Sequence, residues 1–382
     1  MVVTSFKKIA LLGLAALLAE TTTALVTISI NDCSEVTSLT DALEGDDVTA
    51  TFANEFACED AWTTITVPTD RQLTVNAEDS TRRVKFTNLR FRVAERDDAG
   101  DYDLIFTPDV KFFSTIEADS DPDLAIQDVN GGVLEVLSGA AVHFEGYSRN
   151  IGIEIVSARV EGRDFADHLV YGGAWYNEGR ILIDGGAKFK RCDNSGGGEA
   201  FPGNGGAVFN GEFGKIDFLG GVEFKTNRCI DDQGGKGGGI FNAGSIVVSP
   251  SAVFSNNVAE QGGGLFNDDT GSISFETDDT VSFYNNQFGS DSDEGGNIFN
   301  IGDISFGSYV KFLKGEDGIY TNGHIAFMDG GLFKNLPEGA MRASSDATFE
   351  GLEDLKFKNN GEANGGCPDI SMFQDGEYVC LP

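Results

Sequence analysis

The side chains of this sequence that could do chemistry are few and dispersed. Its three histidines, His143, His168 and His324, lie far apart. Asp167-His168, beside Arg163 and Asp164, is the best candidate for acid–base catalysis, because a carboxylate can orient a neighbouring imidazole. Asp119, Asp121 and Asp123 have the one-three-five spacing of a calcium loop. Leu124 stands where such a loop needs glycine, however, and Asn130 occupies the last ligand position. Other acidic pairs, such as Asp231-Asp232, Asp268-Asp269 and Asp278-Asp279, fall in turn-like segments and read most simply as solvated corners. No organic cofactor is expected. Calcium held by paired turn carboxylates is the metal chemistry that the pattern admits. Nucleophile-elbow, phosphate-loop and His-Glu-x-x-His motifs are all missing from the sequence.

Six cysteines fall into neighbouring pairs: Cys33 with Cys58, Cys192 with Cys229, and Cys367 with Cys380. Residues 1–24 have the form of a secretory signal, with Lys7 and Lys8 ahead of an apolar run and small residues after it. An even cysteine count behind such a signal predicts disulfides, with the middle pair bridging adjacent repeats. The apolar run is too short to span a bilayer, and no later segment is apolar enough to do so.

The elements that must position these residues are written in a repeat. A glycine pair, one or two further residues, an aromatic and an asparagine recur five times, ending at Asn177, Asn210, Asn242, Asn267 and Asn300. The asparagines are 33, 32, 25 and 33 residues apart, a period that means stacked units. Each phrase is followed by two short stretches with period-two alternation, such as Ser245-Ile246-Val247-Val248 and Ala252-Val253-Phe254. Three short strands per unit predict an all-β fold: a single-stranded right-handed parallel β-helix. Its coils would stack at ~4.8 Å and bury a continuous inner column. The recurring asparagines are expected at a structural turn, bonding backbone or the asparagine stacked on them. The glycines that follow (Gly179, Gly214, Gly244, Gly271, Gly302 and Gly323) are expected at positive φ. The 30 phenylalanines are expected to line the core, one inward ring stacking on the next. The phrase fades after Ile319-Tyr320-Thr321, and a last copy puts Arg342 in the asparagine slot. The predicted organisation is a signal peptide (1–24), an N-terminal cap (25–62), the β-helix (63–360, clearest over 171–360) and a cysteine-closed tail (361–382).

The formal net charge is −34. Spread evenly, such charge repels nucleic acid and anionic membranes, and repels acidic polysaccharides unless calcium bridges them. Neither nucleic acid nor a membrane-spanning segment after the signal is therefore expected.

The alternation of Gly172-Gly173-Ala174 and Gly205-Gly206-Ala207-Val208 with Phe-x-x-Asn (Phe224 to Asn227, Phe254 to Asn257, Phe283 to Asn286, Phe357 to Asn360) resembles the repeats of the chlamydial polymorphic outer membrane proteins. The resemblance covers roughly Tyr171 to Asn360 and implies a pectin-lyase-like β-helical superfold displayed in adhesion. The segment after Asn360 has no barrel-strand pattern, so the C-terminal membrane barrel of that family is not expected here. Together these features predict a secreted or cell-surface protein, non-catalytic rather than an enzyme. It would act in adhesion or as a matrix or wall component, with an extracellular polysaccharide or surface glycoconjugate as partner. The alternative is a carbohydrate-active β-helix (lyase, hydrolase or epimerase) or a calcium-dependent polysaccharide-binding module. Binding insertions are expected at Arg163 to Tyr171, Asp193 to Asn204 and Ile230 to Gly237.

Overall fold

The computed structural model describes residues 25–58, 63–97, 101–113, 130–146, 152–162, 171–197, 203–230, 234–276, 279–288, 295–361, 370–374 and 377–380. Short alternating segments can bury one face only by pairing with their counterparts in the neighbouring repeat, and that pairing builds the molecule. Three long parallel sheets result, with one coil of chain visiting each in turn. Sheet 1 has twelve strands, from Leu25–Ile30 to Thr348–Glu350, and sheet 2 has eleven, from Glu55–Ala57 to Leu355–Lys358. Sheet 3 runs from Thr63–Val67 to Ile370–Gln374 and ends in the antiparallel strand Glu377–Cys380. A five-stranded sheet 4, from Arg159–Gly162 to Gln287–Phe288, joins sheets 2 and 3 in the middle coils. The chain is a parallel β-helix.

Register follows the repeat residue for residue. Val208-Phe209-Asn210 pairs with Ile240-Phe241-Asn242, which pairs with Leu265-Phe266-Asn267 and then Ile298-Phe299-Asn300. Ile298 to Asn300 next pairs with Ile319 to Thr321 and, beyond it, with Met341 to Ala343. The last asparagine slot is therefore filled by Ala343, one residue later than the sequence alignment placed it. The parallel pairing also begins ahead of residue 63, since Leu25–Ile30 and Asp47–Phe52 already stack in sheet 1. Between them lies a short amphipathic helix, Val36–Leu43, with Val36, Leu39 and Leu43 buried. It lies against the strands of the first coils, at the edge where open strands would otherwise recruit another chain.

The core is a column of stacked rings. Phe189, Phe224, Phe254, Phe283, Phe312 and Phe333 follow one another at 4.6–5.0 Å between centroids, all fully buried. That spacing is the strand spacing itself, so each coil adds one ring to the column. Not every phenylalanine points inward. In the strands of sheet 3, Val208 and Asn210 are both interior, so the period-two pleat sends Phe209 outward. Phe209, Phe241, Phe266 and Phe299 form a second, separate apolar column between Tyr176 and Tyr320. It is covered from outside, by Tyr171 against Phe209 (4.4 Å) and by Lys236 over Phe266 (4.7 Å).

Candidate functional site

The corner asparagines form a hydrogen-bonded ladder. Asn177, Asn210, Asn242, Asn267 and Asn300 are fully buried. Each Nδ2 of the first four donates to the next Oδ1, at 2.7, 2.7, 2.8 and 2.8 Å. Each Nδ2 also reaches a corner carbonyl of its own coil, as from Asn242 to Gly244 O (3.1 Å). The ladder ends where Asn300 donates to Thr321 Oγ1 at 3.1 Å. The glycines after the asparagines do not have the positive φ expected of them. They are needed for room: a Cβ on Gly244 would stand 2.2 Å from Gly214 O. Positive φ falls instead on the glycine five residues before each asparagine, such as Gly205 (φ 75°) and Gly262 (φ 63°).

A second ladder starts in the turn after sheet 2 and ends at Asn297, just ahead of the sheet 3 strand Ile298–Asn300. Asn227, Asn257, Asn286 and Asn297 are fully buried and linked Nδ2 to Oδ1 at 3.0, 2.9 and 2.9 Å. The residue before each of the first three is left-handed: Thr226 (φ 56°), Asn256 (φ 54°) and Asn285 (φ 51°). Cys192 occupies the matching position one coil earlier, where its N–H donates to Asn227 Oδ1 (3.0 Å).

That register undoes one expected disulfide. Cys33 and Cys58 are bridged (Cα–Cα 5.2 Å), but Cys192 and Cys229 are both buried thiols. Asp193 pairs with Arg228, so Cys192 is level with Asn227 and Cys229 lies two residues further along. Two residues along a strand and one strand across separate the Cα atoms by ~8 Å, beyond disulfide reach. Burial pushes the Cys192 thiol up to about 12, which makes it an inert core residue. Cys380 is disulfide-bonded. Its expected partner Cys367 lies outside the described residues, as do Asp167, His168, Asp119, Asp121 and Asp123, residues 163–170 of the first expected insertion and the middles of the other two (198–202 and 231–233). The second insertion begins as the sheet 4 strand Asp193–Gly197.

The feature that composition concealed is where the lysines go. Nine of the chain's fourteen lysines stand on the strands of sheet 2, at outward positions flanking the buried phenylalanines. They occupy two columns. One contains Lys85, Lys111, Glu154, Lys188 and Glu223 in successive coils, and later Lys311, Leu332 and Lys356. The other contains Lys190 and Lys225, and later Leu313, Lys334 and Lys358. At the N-terminal end the charge is largely answered. Glu154 meets Arg83 (2.9 Å), Lys111 (3.3 Å) and Lys190 (3.2 Å), while Glu223 meets Lys188 (3.2 Å). Burial raises the Glu154 pKa, but the Lys190 hydrogen bond and the Lys111 charge outweigh it and hold the carboxyl below the usual range. At the C-terminal end, among the described residues, no carboxylate lies within ion-pair distance of Lys311, Lys334, Lys356 or Lys358. Lys314, just past the strand, donates to Tyr284 Oη at 3.0 Å and lies 5.3 Å from that ring. The sequence did carry this signal, in the recurring apolar-Lys-Phe phrases at Lys85, Lys111, Lys188, Lys311 and Lys356.

A smaller polar cluster lies on the outer face of sheet 1. His143 Nε2 is 3.0 Å from Asp184 and Nδ1 is 3.7 Å from Glu145, with the Tyr102 ring 4.6 Å from the imidazole. One coil on, Arg180 and Lys215 approach Asp217 at 3.9 and 3.4 Å. His324, on the same sheet, contacts Thr348 Oγ1 at 2.9 Å. Among the described residues no three His, Cys, Asp or Glu side chains converge as a metal site, and no helix is long and apolar enough to cross a membrane. No family model, curated protein or solved structure matches the chain.

Proposed function

We propose that this chain is a secreted, non-catalytic β-helix that acts in cell-surface adhesion or as an extracellular matrix or wall component. The observation that carries the reading is the contrast between a regular interior, saturated by ring stacks and asparagine ladders, and an outer face on which cations are gathered in an otherwise acidic molecule. Long flat outer faces suit an extended partner held at many weak contacts, as solenoids commonly do. The polymorphic outer-membrane repeat phrases support the same reading. The direct experiment incubates the purified protein, with and without calcium, with neutral and acidic polysaccharides, following co-sedimentation and chain length. Retention without shortening is expected.

A carbohydrate-active enzyme is the second reading, and the His143–Asp184 pair beside Arg180 and Lys215 favours it specifically. An imidazole oriented by a carboxylate can move a proton, and the two cations could neutralise an acidic sugar. On that reading polysaccharide chains shorten, and His143→Ala abolishes the shortening.

A further inference from the structure

We propose that the C-terminal half of the outer face of sheet 2 is a binding site for a linear acidic polysaccharide; the proposal rests on the adhesive reading above and names its ligand. Lys311 and Lys356 stand two coils apart in one column, with Leu332 between them. Lys334 and Lys358 stand on adjacent coils in the other. Both columns run parallel to the helix axis, so a polymer that meets them all must lie along that axis. One coil is ~4.8 Å high, close to the length of one sugar ring, so acidic groups carried once per ring recur in step with the coils. Leu332 supplies apolar surface between Lys311 and Lys356, and Leu313 with exposed Tyr284 and Val253 continues it onto the preceding coils. Lysine stems can lie along such surface while their ammonium groups stay in water.

Asp329, Glu353 and Asp354 lie in the turns that lead into these strands, whereas Lys314, Asn335 and Asn359 lie in the turns that leave them. Glu316, which accepts from Phe288 N–H, and exposed Glu338 follow further along the leaving turns, so acids flank the face on both sides and the polymer is held to the lysine columns between them. Duplex nucleic acid, with a charge every ~1.7 Å of axis, meets the strongest repulsion from the surrounding acidic surface. A polysaccharide with one charge per ring meets much less. A second copy of the chain is a poorer fit, because no sheet of the described residues presents a matching column of carboxylates. Ion pairs with four lysines would make binding salt-dependent and independent of calcium, which reverses the repulsion that net charge alone implies.

The test measures binding of the full chain to polygalacturonate, dextran sulfate and neutral dextran, in EDTA, across a salt series. Expected is binding to one or both acidic polymers, the tighter showing whether carboxylate or sulfate is preferred, with none to dextran. K311Q/K334Q/K356Q/K358Q should weaken it at least about tenfold and make the slope of log K against log salt shallower by about 3, at about 0.7 per ion pair. K188Q/K190Q, whose lysines already face Glu223 and Glu154, should change it far less. Thermal melts check that the variants fold, and K334Q/K358Q repeats the test at about half the slope change. Unchanged binding in the four-lysine variant overturns the proposal. So does equal affinity for poly(A) RNA, or self-association that the substitutions abolish. Binding to neutral dextran that ignores the substitutions overturns this site but leaves the adhesive reading standing. Failure to bind any polysaccharide overturns both.

Discussion

The buried corner of sheet 3 and the outer face of sheet 2 are built from the same repeat, yet they treat it in opposite ways. At the corner, asparagine fills the slot in five successive coils, each amide satisfied by the next. On the outer face the corresponding slots read Lys, Glu, Val, Ser, Lys, Leu and Lys from Lys188 onward. A buried polar group tolerates no interruption, because a lost partner costs about 1–3 kcal/mol for every unsatisfied atom. An exposed position carries no such penalty, so its residues can be set by something other than the stack. Regularity therefore marks what holds the molecule up, and the irregular, cation-rich face marks where it can meet a partner.

The sharpest way to break this contrast is at Asn267. Asn267→Ala would remove the acceptor of Asn242 Nδ2 and the donor to Asn300 Oδ1 and should cost about 2–5 kcal/mol, read as a lower denaturant midpoint. A smaller change at that site than at an exposed lysine would remove the distinction altogether.

Asp317 offers the next largest effect. It is fully buried beside Arg342 (3.6 Å) and accepts from Gly296 N–H; burial raises its pKa to about 6 against the countering charge of Arg342. The folded state therefore binds the proton more tightly than the unfolded chain does. The stability this proton brings is fully present below about pH 4 and is lost as pH rises through about 6, a fall of up to about 3 kcal/mol. Asp317→Asn should flatten that part of the pH profile in chemical denaturation. An unaltered profile would mean that the carboxyl is not held in this way.

Thr226 tests the turn beneath the second ladder. A β-branched residue at φ 56° is strained, so Thr226→Gly should stabilise by about 1 kcal/mol despite the added freedom of the unfolded chain. The smallest effect on stability is expected at the lysines. Lys334→Gln and Lys358→Gln should each stay within about 0.5 kcal/mol of the parent, since their ammonium groups sit at outward positions of the sheet.

Much of the fold was legible because parallel stacking copies sequence period directly into space. Alternation gave the strands, and the asparagine phrase gave the register from Trp175 to Ile319. The facing of Phe209 was misread because hydrophobicity suggests an inward ring, whereas the pleat is fixed by the buried Val208 and Asn210 on either side. The role of Gly244 was misread because a glycine in a turn suggests positive φ, and crowding from the preceding coil cannot be seen in one repeat. Cys192 and Cys229 were close in period but two residues out of register. The lysine face was hidden for a related reason. Net charge averages over the surface, and only the coil-by-coil alignment reveals that scattered Val-Lys-Phe phrases stand in one line.

The most direct measurement pairs two variants in one experiment: thermal melting and polygalacturonate binding for Asn267→Ala and for K311Q/K334Q/K356Q/K358Q. The Asn267 variant should melt at a lower temperature yet bind like the parent wherever it is folded. The lysine variant should melt like the parent and lose binding. If the two properties instead fall together in both variants, the interior and the outer face are not doing separate jobs, and the account is contradicted.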